Sequence, residues 1–199
     1  MAWVIVGLGN PGEEYKETRH NAGRIAVEFF AKKNNFREFK DDKRAKAHTT
    51  SGLVDRAAVA LVLPDTFMNK SGNAVARFVK TPRAAERLVV VHDDLDLPLG
   101  VMKISFDRGS GGHKGLESIM RMLKTEKFIR VRIGVSPTSG SGEIRKPHGE
   151  KVVRNFILMK FRPDEYSDLK AMIKKVADAL ERIVLDGKER AMNQFNTAV

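Results

Sequence analysis

Strand-length apolar runs alternate with amphipathic helical segments along the chain, and this alternation restricts the possible folds more than any other feature. The runs are continuous enough to be buried on both faces, which is typical of parallel strands. Helical periodicity is clear in the segments 22–30, 116–123 and 169–184. The pattern predicts an α/β fold in which residues 1–199 form a single three-layer domain, with a mixed, mostly parallel central sheet and helices on both faces. The predicted strands are residues 3–6, 57–63, 88–91, 101–106 and 128–135.

The first strand runs into a glycine turn, which reads GLGNPG over residues 7–12. This spacing also fits the fingerprint of dinucleotide-binding folds, in which a helix begins inside the turn and its N–H groups hold a pyrophosphate. Here Pro11 removes one donor, the polar residues 13–21 delay the helix, and the segment 34–46 is charged rather than strand-like. We therefore expect the turn to form part of a different site.

The formal net charge of +11 points to a polyanionic partner. A basic surface attracts nucleic acid by releasing its counterions, although a solvated surface without a partner is the alternative. Basic side chains cluster in the segments 32–46 and 121–132. Either cluster could face RNA or only solvent.

Cysteine is absent, which excludes a thiol nucleophile, a disulfide framework and a cysteine zinc site. This composition fits the reducing cytoplasm. We expect no membrane or export segment, because no apolar run approaches the roughly 18 residues needed to cross a bilayer and no basic leader precedes the first strand.

A first polar cluster, Asn10, Tyr15 and His20, follows the first strand. The imidazole of His20, between polar neighbours in a strand-to-helix turn, could accept a proton near pH 7. The alternative is that His20 caps the helix beginning near Ala22.

A second cluster follows the strand at 57–63 and contains Phe67, Met68 and Asn69. A carboxamide beside an apolar wall at a strand's carboxyl end can bind a substrate. Ser71 could be an ordinary N-cap.

The third cluster reads HDDLDLP over residues 92–98 and includes Asp93, Asp94 and Asp96. Asp93 is predicted to end the strand that begins at residue 88. Three aspartates could hold magnesium, although such runs are more often turns. A better use for Asp93 is to accept a hydrogen bond from a histidine and fix its tautomer. The glycine-rich run 109–115 could then present helix N–H groups to a phosphate or an oxyanion, or could be a flexible link.

The chain has no cysteine and no G-x-S-x-G elbow, so a histidine base would act on water. Together these features favour hydrolysis of a carbonyl or phosphoryl bond. The residues alone do not specify which bond.

Five segments together resemble bacterial peptidyl-tRNA hydrolases: GLGNPG at 7–12, TRHNAG at 18–23, TFMN at 66–69, HDDLDLP at 92–98 and GGH at 111–113. The resemblance implies a cytoplasmic α/β monomer that cleaves the ester between a peptide and the 3′ ribose at the acceptor end of tRNA. It implies water as the nucleophile, no metal or other cofactor, and no obligate protein partner. The alternative is a splicing-factor-like module of the same fold that binds RNA without turnover.

The resemblance also assigns roles. By this resemblance, His20 corresponds to the family's general base and Asp93 to the residue that orients that base. Asn10 corresponds to the family asparagine that helps admit N-blocked aminoacyl esters. Lys114 stands where many members of the family have asparagine. Contacts to tRNA or peptide are implied for Tyr15, Phe67, Asn69 and Lys114, and phosphate contacts are expected for Lys103, Arg130 and Arg132.

Overall fold

Seven strands form one mixed sheet in the computed structural model, which describes residues 2–196. Their order across the sheet is β2-β3-β4-β1-β5-β7-β6. The four central strands β4, β1, β5 and β7 run parallel, whereas the outer pairings β2–β3, β3–β4 and β6–β7 are antiparallel. The predicted α/β fold with a mostly parallel centre is confirmed. The strands are β1 (Trp3–Gly7), β2 (Lys40–Asp42), β3 (Ala47–Val54), β4 (Ala57–Pro64), β5 (Leu88–Pro98), β6 (Met102–Phe106) and β7 (Ile129–Ser136).

Helices cover both faces of the sheet. Neighbouring residues of β1 point to opposite faces, as strand geometry requires: Ile5 packs in the core that contains α1 and α6, and Val6 packs in the core that contains α2 and α4. Within residues 2–196, none of the helices combines the length and apolar character needed to cross a membrane. The helices are α1 (Ala22–Lys33), α2 (Ser71–Val75), α3 (Pro82–Ala85), α4 (Lys114–Leu123), α5 (Glu150–Ile157), α6 (Tyr166–Asp186) and α7 (Lys188–Phe195).

The strand β5 continues to Pro98, so the prediction that Asp93 ends this strand is wrong. Asp93 is paired in register with Ile133 of β7, and the register shifts only between Asp94 and Pro98. The buried apolar pattern of β5 stops at Val91, but backbone pairing with β7 does not. Hydrophobicity therefore marked the end of the core rather than the end of the strand.

The charged segment 34–46, expected not to be strand-like, contains the short strand β2, which pairs with β3. The side chains of Lys40 and Asp41 are exposed. Charged residues on a short edge strand discourage pairing with other chains. The apolar pattern could not reveal β2, because only its backbone joins the sheet.

The glycines Gly7 and Gly23 allow α1 to begin directly against the strands. A methyl group on Gly23 would lie 2.1 Å from the carbonyl oxygen of Val91, and one on Gly7 would lie 2.7 Å from the carbonyl oxygen of Gly23. The chain is fixed there by hydrogen bonds from Leu8 N to Val91 O and from Arg24 N to Leu8 O, both of 3.0 Å. This close contact brings the turn before α1 next to the polar end of β5.

Candidate active site

A groove of about 1340 Å³ lies where β1, β4 and β5 end. The three clusters found in the sequence meet there, because parallel neighbouring strands end at the same edge of the sheet. The irregular segment after β7 and the helix α5 form part of its wall. All of the predicted site residues line this groove: Asn10, Tyr15, His20, Phe67, Asn69, Asp93, Lys103, Lys114, Arg130 and Arg132.

The carboxylate of Asp93 is buried between two histidines. The Nδ1 atom of His20 lies 2.9 and 3.0 Å from its two oxygens, and the Nε2 atom of His113 lies 3.0 Å from Oδ1. Burial alone would raise the pKa of Asp93, but the imidazoles of His20 and His113 outweigh it and hold this pKa well below its usual range. Asp93 is therefore a carboxylate that accepts hydrogen bonds from both rings.

The tautomer of His113 follows from its other nitrogen. Nδ1 lies 3.1 Å from the backbone N of Gly115 and 3.4 Å from that of Leu116, in the first turn of α4. Because Nδ1 accepts from these N–H groups, it carries no proton, and Nε2 donates to Asp93. His113 thus uses both ring nitrogens within the protein.

This arrangement corrects one expectation from the sequence. The N–H groups of Gly115 and Leu116, expected to face a phosphate or an oxyanion, are occupied by the ring of His113. His113 stands in the GGH motif, but no role was predicted for its side chain. Its position immediately before an amphipathic helix was the available signal, because a residue there can accept from the first N–H groups.

His20 has a different set of partners. Its Nδ1 donates to Asp93, so Nε2 carries the lone pair, and no residue of the described chain forms a hydrogen bond with Nε2. The residue that flanks α1 as its N-cap is Asn21, and the ring of His20 faces Asp93 instead. The alternative that His20 caps this helix is therefore wrong.

His92 is a third histidine next to this carboxylate, and it is fully buried. Its Nδ1 lies 2.7 Å from the backbone oxygen of Asp93, and its ring packs edge-on against His113 with centroids 4.8 Å apart. Its Nε2 has no partner in the described part of the chain. Burial, and next the nearby ring of His113, lower the pKa of His92 to about 3. His92 is thus neutral and holds the backbone at Asp93.

Asn10 is held in place through both its side chain and its backbone. Its Oδ1 accepts from the backbone N–H of Met68 at 2.9 Å, and its backbone N and O pair with the side chain of Asn21 at 2.8 and 3.0 Å. Because Oδ1 is occupied, the group of Asn10 that remains available in the groove is the donor Nδ2. Ser71 does not cap a helix, since its hydroxyl donates to Met68 O at 2.9 Å.

The outer part of the groove is more open. Phe67 is 58% exposed, Asn69 is exposed and Tyr15 is half-buried. No residue of the described chain forms a hydrogen bond with the side chain of Asn69. These side chains are free to contact a bound molecule.

The basic residues of the groove differ in their partners. Lys103 is exposed and forms no ion pair within residues 2–196, whereas Arg132 Nε lies 2.6 Å from Asp94 Oδ2. Lys114 is exposed and pairs with Glu117 at 3.2 Å, one turn along α4. An ion pair this exposed is weak, so Lys114 can leave Glu117 and bind a phosphate instead.

Arg130 has a different environment from the other basic residues. It is 1% exposed, and its guanidinium carbon lies 4.3 Å from the centroid of the Phe128 ring. Burial lowers the pKa of Arg130 to about 10. The predicted phosphate contact of Arg130 is therefore not supported, because the guanidinium is covered by protein.

A metal ion fits this site poorly. One ligand atom each from His20, Asp93 and His113 lies within 4.8 Å of the others, which is close enough for three metal ligands. To bind a metal, however, Nε2 of His113 would have to move its proton to Nδ1, which would then face two N–H donors. The hydrogen-bond network therefore suits these residues better than a cation does.

The aspartates of the third cluster also diverge. Asp93 faces the histidines, Asp94 pairs with Arg132, and Asp96 pairs with Lys146. These three side chains do not converge on one point, so the magnesium alternative considered from the sequence is not supported.

Comparisons with known proteins agree on one family. The model of the family described as Peptidyl-tRNA hydrolase matches residues 4–199. The peptidyl-tRNA hydrolase of Chloroflexus aggregans is 41% identical over 198 residues, which cover 98% of each chain. That of Bdellovibrio bacteriovorus is 38% identical over 205 residues, covering 98% of this chain and 100% of the relative. The crystal structure of peptidyl-tRNA hydrolase from Acinetobacter baumannii superimposes with a TM-score of 0.86 at 34% identity, covering 98% of this chain and 95% of that one.

Proposed function

The chain belongs to the peptidyl-tRNA hydrolase family, and we propose that His20, Asp93 and Asn10 carry its catalytic activity. The reaction is hydrolysis of the ester that joins a peptide to the 3′ ribose of tRNA. The observation that carries the assignment is the orientation of His20, whose Nδ1 is held 2.9 Å from Asp93 while Nε2 remains free. A neutral imidazole in this tautomer is ready to accept a proton.

The general base is His20. As a water oxygen attacks the ester carbonyl carbon, Nε2 of His20 takes a proton from that water. The tetrahedral intermediate then collapses, the bond to the ribose 3′ oxygen breaks, and Nε2 returns the proton to that oxygen. The products are a peptide carboxylic acid, which ionises in solution, and tRNA with a free 3′ hydroxyl. Asp93 stabilises the imidazolium that exists between the two proton transfers.

His113 and His92 support this base and do not replace it. Both nitrogens of His113 are engaged by Asp93 and α4. His92 is buried and donates to the backbone of Asp93. His113 fixes the carboxylate and His92 fixes the strand that carries it, so of the three histidines around Asp93 it is His20 whose free nitrogen faces the groove.

Asn10 acts on the aminoacyl side of the ester. Its free Nδ2 is a donor, because its Oδ1 is held by Met68 N. An N-blocked aminoacyl group presents an amide carbonyl oxygen, which accepts from this donor. A free aminoacyl ester presents an ammonium group, which has donors only and gains nothing from Asn10. This difference favours N-blocked substrates.

The outer groove holds the tRNA end. Bases and the peptide contact Tyr15, Phe67 and Asn69, while Lys114, Lys103 and Arg132 contact phosphates. The basic charge of the chain supports this orientation, since phosphate contacts position nucleic acids. Arg130 has a structural role beneath this surface.

We further propose that residues 1–199 act as one domain and as a cytoplasmic monomer, without a metal or another cofactor and without an obligate protein partner. The fixed tautomer of His113 supports metal-free hydrolysis.

The test is ester cleavage by the purified protein in the presence of a chelator. N-acetylated aminoacyl-tRNA and unblocked aminoacyl-tRNA are incubated in parallel, and the released tRNA is measured. We expect cleavage of the blocked ester alone. Binding of the tRNA without cleavage of either ester would instead support the RNA-binding alternative, and activity lost with the chelator would contradict the metal-free mechanism.

A further inference from the structure

Arg19, the neighbour of His20, is buried in an ion pair with the C-terminal part of the chain. Its Nη2 donates to both carboxylate oxygens of Glu165, at 3.0 and 2.7 Å. The two side chains are only 3% and 8% exposed. The guanidinium carbon also lies 4.8 Å from the ring centroid of Phe156 and 4.9 Å from that of Phe161.

This pair is poorly suited to a purely stabilising role. Nε and Nη1 of Arg19 are buried and have no hydrogen-bond partner in the described chain. Desolvation of a buried ion pair offsets much of its attraction, and well-packed apolar replacements are often as stable or more so. What a guanidinium–carboxylate pair supplies in addition is a defined orientation.

The orientation that Arg19 fixes is that of the short 3₁₀ turn Arg19–Asn21. The side chains of this turn reach three separate parts of the protein: Arg19 reaches Glu165, His20 reaches Asp93, and Asn21 pairs with the backbone of Asn10. The turn is thereby held on both sides of His20. Rotation of the turn about its own axis would move Nδ1 of His20 away from Asp93.

We propose that Arg19 is a positioning residue for His20, with the Arg19–Glu165 pair holding the turn so that Nδ1 of the base faces Asp93. The proposal rests on the assignment of His20 as the general base. Arg19 is buried and, on this view, does not touch the substrate. Its effect should therefore fall on turnover rather than on substrate binding.

The main test is the double variant Arg19→Met, Glu165→Gln. It removes both charges together, and the glutamine oxygen can still accept from Arg162 N, which lies 2.7 Å from Glu165 Oε2. We expect kcat to fall about 10- to 100-fold, because small displacements of a reacting group have effects of this size. KM should stay within about twofold, and circular dichroism should show that the double variant is folded. In ¹H–¹⁵N NMR spectra, the hydrogen-bonded Nδ1–H resonance of His20 should shift or disappear.

The matched control is Glu17→Gln with Lys160→Met. This exposed pair, at 2.9 Å, joins the same two segments of chain, and its removal should leave kcat, KM and the His20 resonance unchanged. A folded Arg19→Met, Glu165→Gln protein with unaltered kcat and an unaltered resonance would overturn the proposal. If that double variant does not fold, Arg19→Lys, which keeps a cation beside Glu165 but not the planar guanidinium, decides by the same two measurements. Wild-type protein without hydrolase activity would refute the proposed function instead, and the resonance would still test the positioning.

Discussion

The two ends of the groove are built differently. At the inner end, Asp93, His113 and Asn10 have most of their polar atoms paired within the protein, and His20 presents one free nitrogen. At the outer end the side chains are exposed and less constrained. We call this second group the outer residues: Phe67, Asn69, Lys103 and Lys114. The contrast indicates that the inner end is fixed before substrate arrives, whereas the outer end can adapt to a flexible RNA terminus.

Three histidines surround one carboxylate at the inner end, and their partners distinguish them. His113 has no free nitrogen, His92 has a free nitrogen that is buried, and His20 has a free nitrogen in the groove. Residue type alone would make all of them candidate bases. The chemistry of each ring is therefore decided by its hydrogen bonds. Variants of the inner end should change kcat, and variants of the outer end should change binding.

The largest effect is expected for His20→Ala. A positioned general base contributes about 10²- to 10⁴-fold to the rate, so kcat should fall by that factor. The Kd for tRNA should be nearly unchanged, because His20 is buried and the outer residues remain. Single-turnover hydrolysis and a separate binding measurement distinguish the two quantities. A parallel loss of tRNA affinity would contradict the division between the two ends.

Asp93→Asn should approach the effect of His20→Ala without exceeding it. Asparagine offers one oxygen where the carboxylate offers two, and α4 compels His113 to donate from Nε2, so His113 takes that oxygen. His20 then faces the amide NH₂ group, accepts from it through Nδ1, and carries its proton on Nε2, where it is no longer a base. Hydrolysis rates at fixed pH measure the loss.

The double variant Asp93→Asn, His113→Phe sharpens this argument. Phenylalanine at position 113 does not compete for the amide oxygen of the asparagine at position 93. Nδ1 of His20 can therefore donate to that oxygen again, which leaves Nε2 free to accept a proton. We expect the double variant to be more active than Asp93→Asn alone. Equal or lower activity would show that competition with His113 does not set the tautomer of His20.

For His92 we expect a smaller effect, on the pH dependence of the free energy of unfolding. The folded chain keeps His92 neutral, with a pKa of about 3 against an ordinary value of 6.5. Between these values the unfolded chain binds a proton that the folded chain excludes, so the free energy of unfolding decreases as pH falls. From pH 7 to pH 5 this one residue should remove about 2 kcal/mol. Urea denaturation across this range should give a flatter pH dependence for His92→Gln, and identical slopes for both proteins would exclude this role for His92.

The fold was predictable from sequence where burial and backbone pairing coincide. The central strands are apolar on both faces, so their positions were found, whereas β2, β3 and the end of β5 carry polar side chains and were missed. In those places the backbone pairs with a neighbouring strand, but buried apolar side chains are too scattered to form a continuous run. A hydrophobic pattern therefore underestimates a sheet at its edge and at its functional end.

The candidate site was predictable as a set of residues and less so as a set of contacts. Asn10, His20 and Asp93 stand in polar segments that follow or continue apolar strands, and the fold brings them to one groove. No role was predicted for the side chain of His113, because its function depends on a carboxylate 20 residues away and on the start of α4. Likewise, the sequence presents Arg130 and Lys103 as equivalent cations, and only burial distinguishes them.

The smallest predicted effect concerns the outer end of the groove, where Lys103 is exposed and Arg130 is buried. Lys103 is exposed and without an ion pair in residues 2–196, so Lys103→Ala should remove about one phosphate contact and lower the slope of log Kd against log salt by about 0.7–0.9. Arg130→Met, which removes a buried cation from the adjacent strand, should leave the slope unchanged. Lys174→Ala on α6, a helix that contributes nothing to the groove, controls for the loss of a surface charge. If Arg130→Met lowered the slope as much as Lys103→Ala does, burial would not separate the two cations, and Arg130 would have to turn outward when tRNA binds.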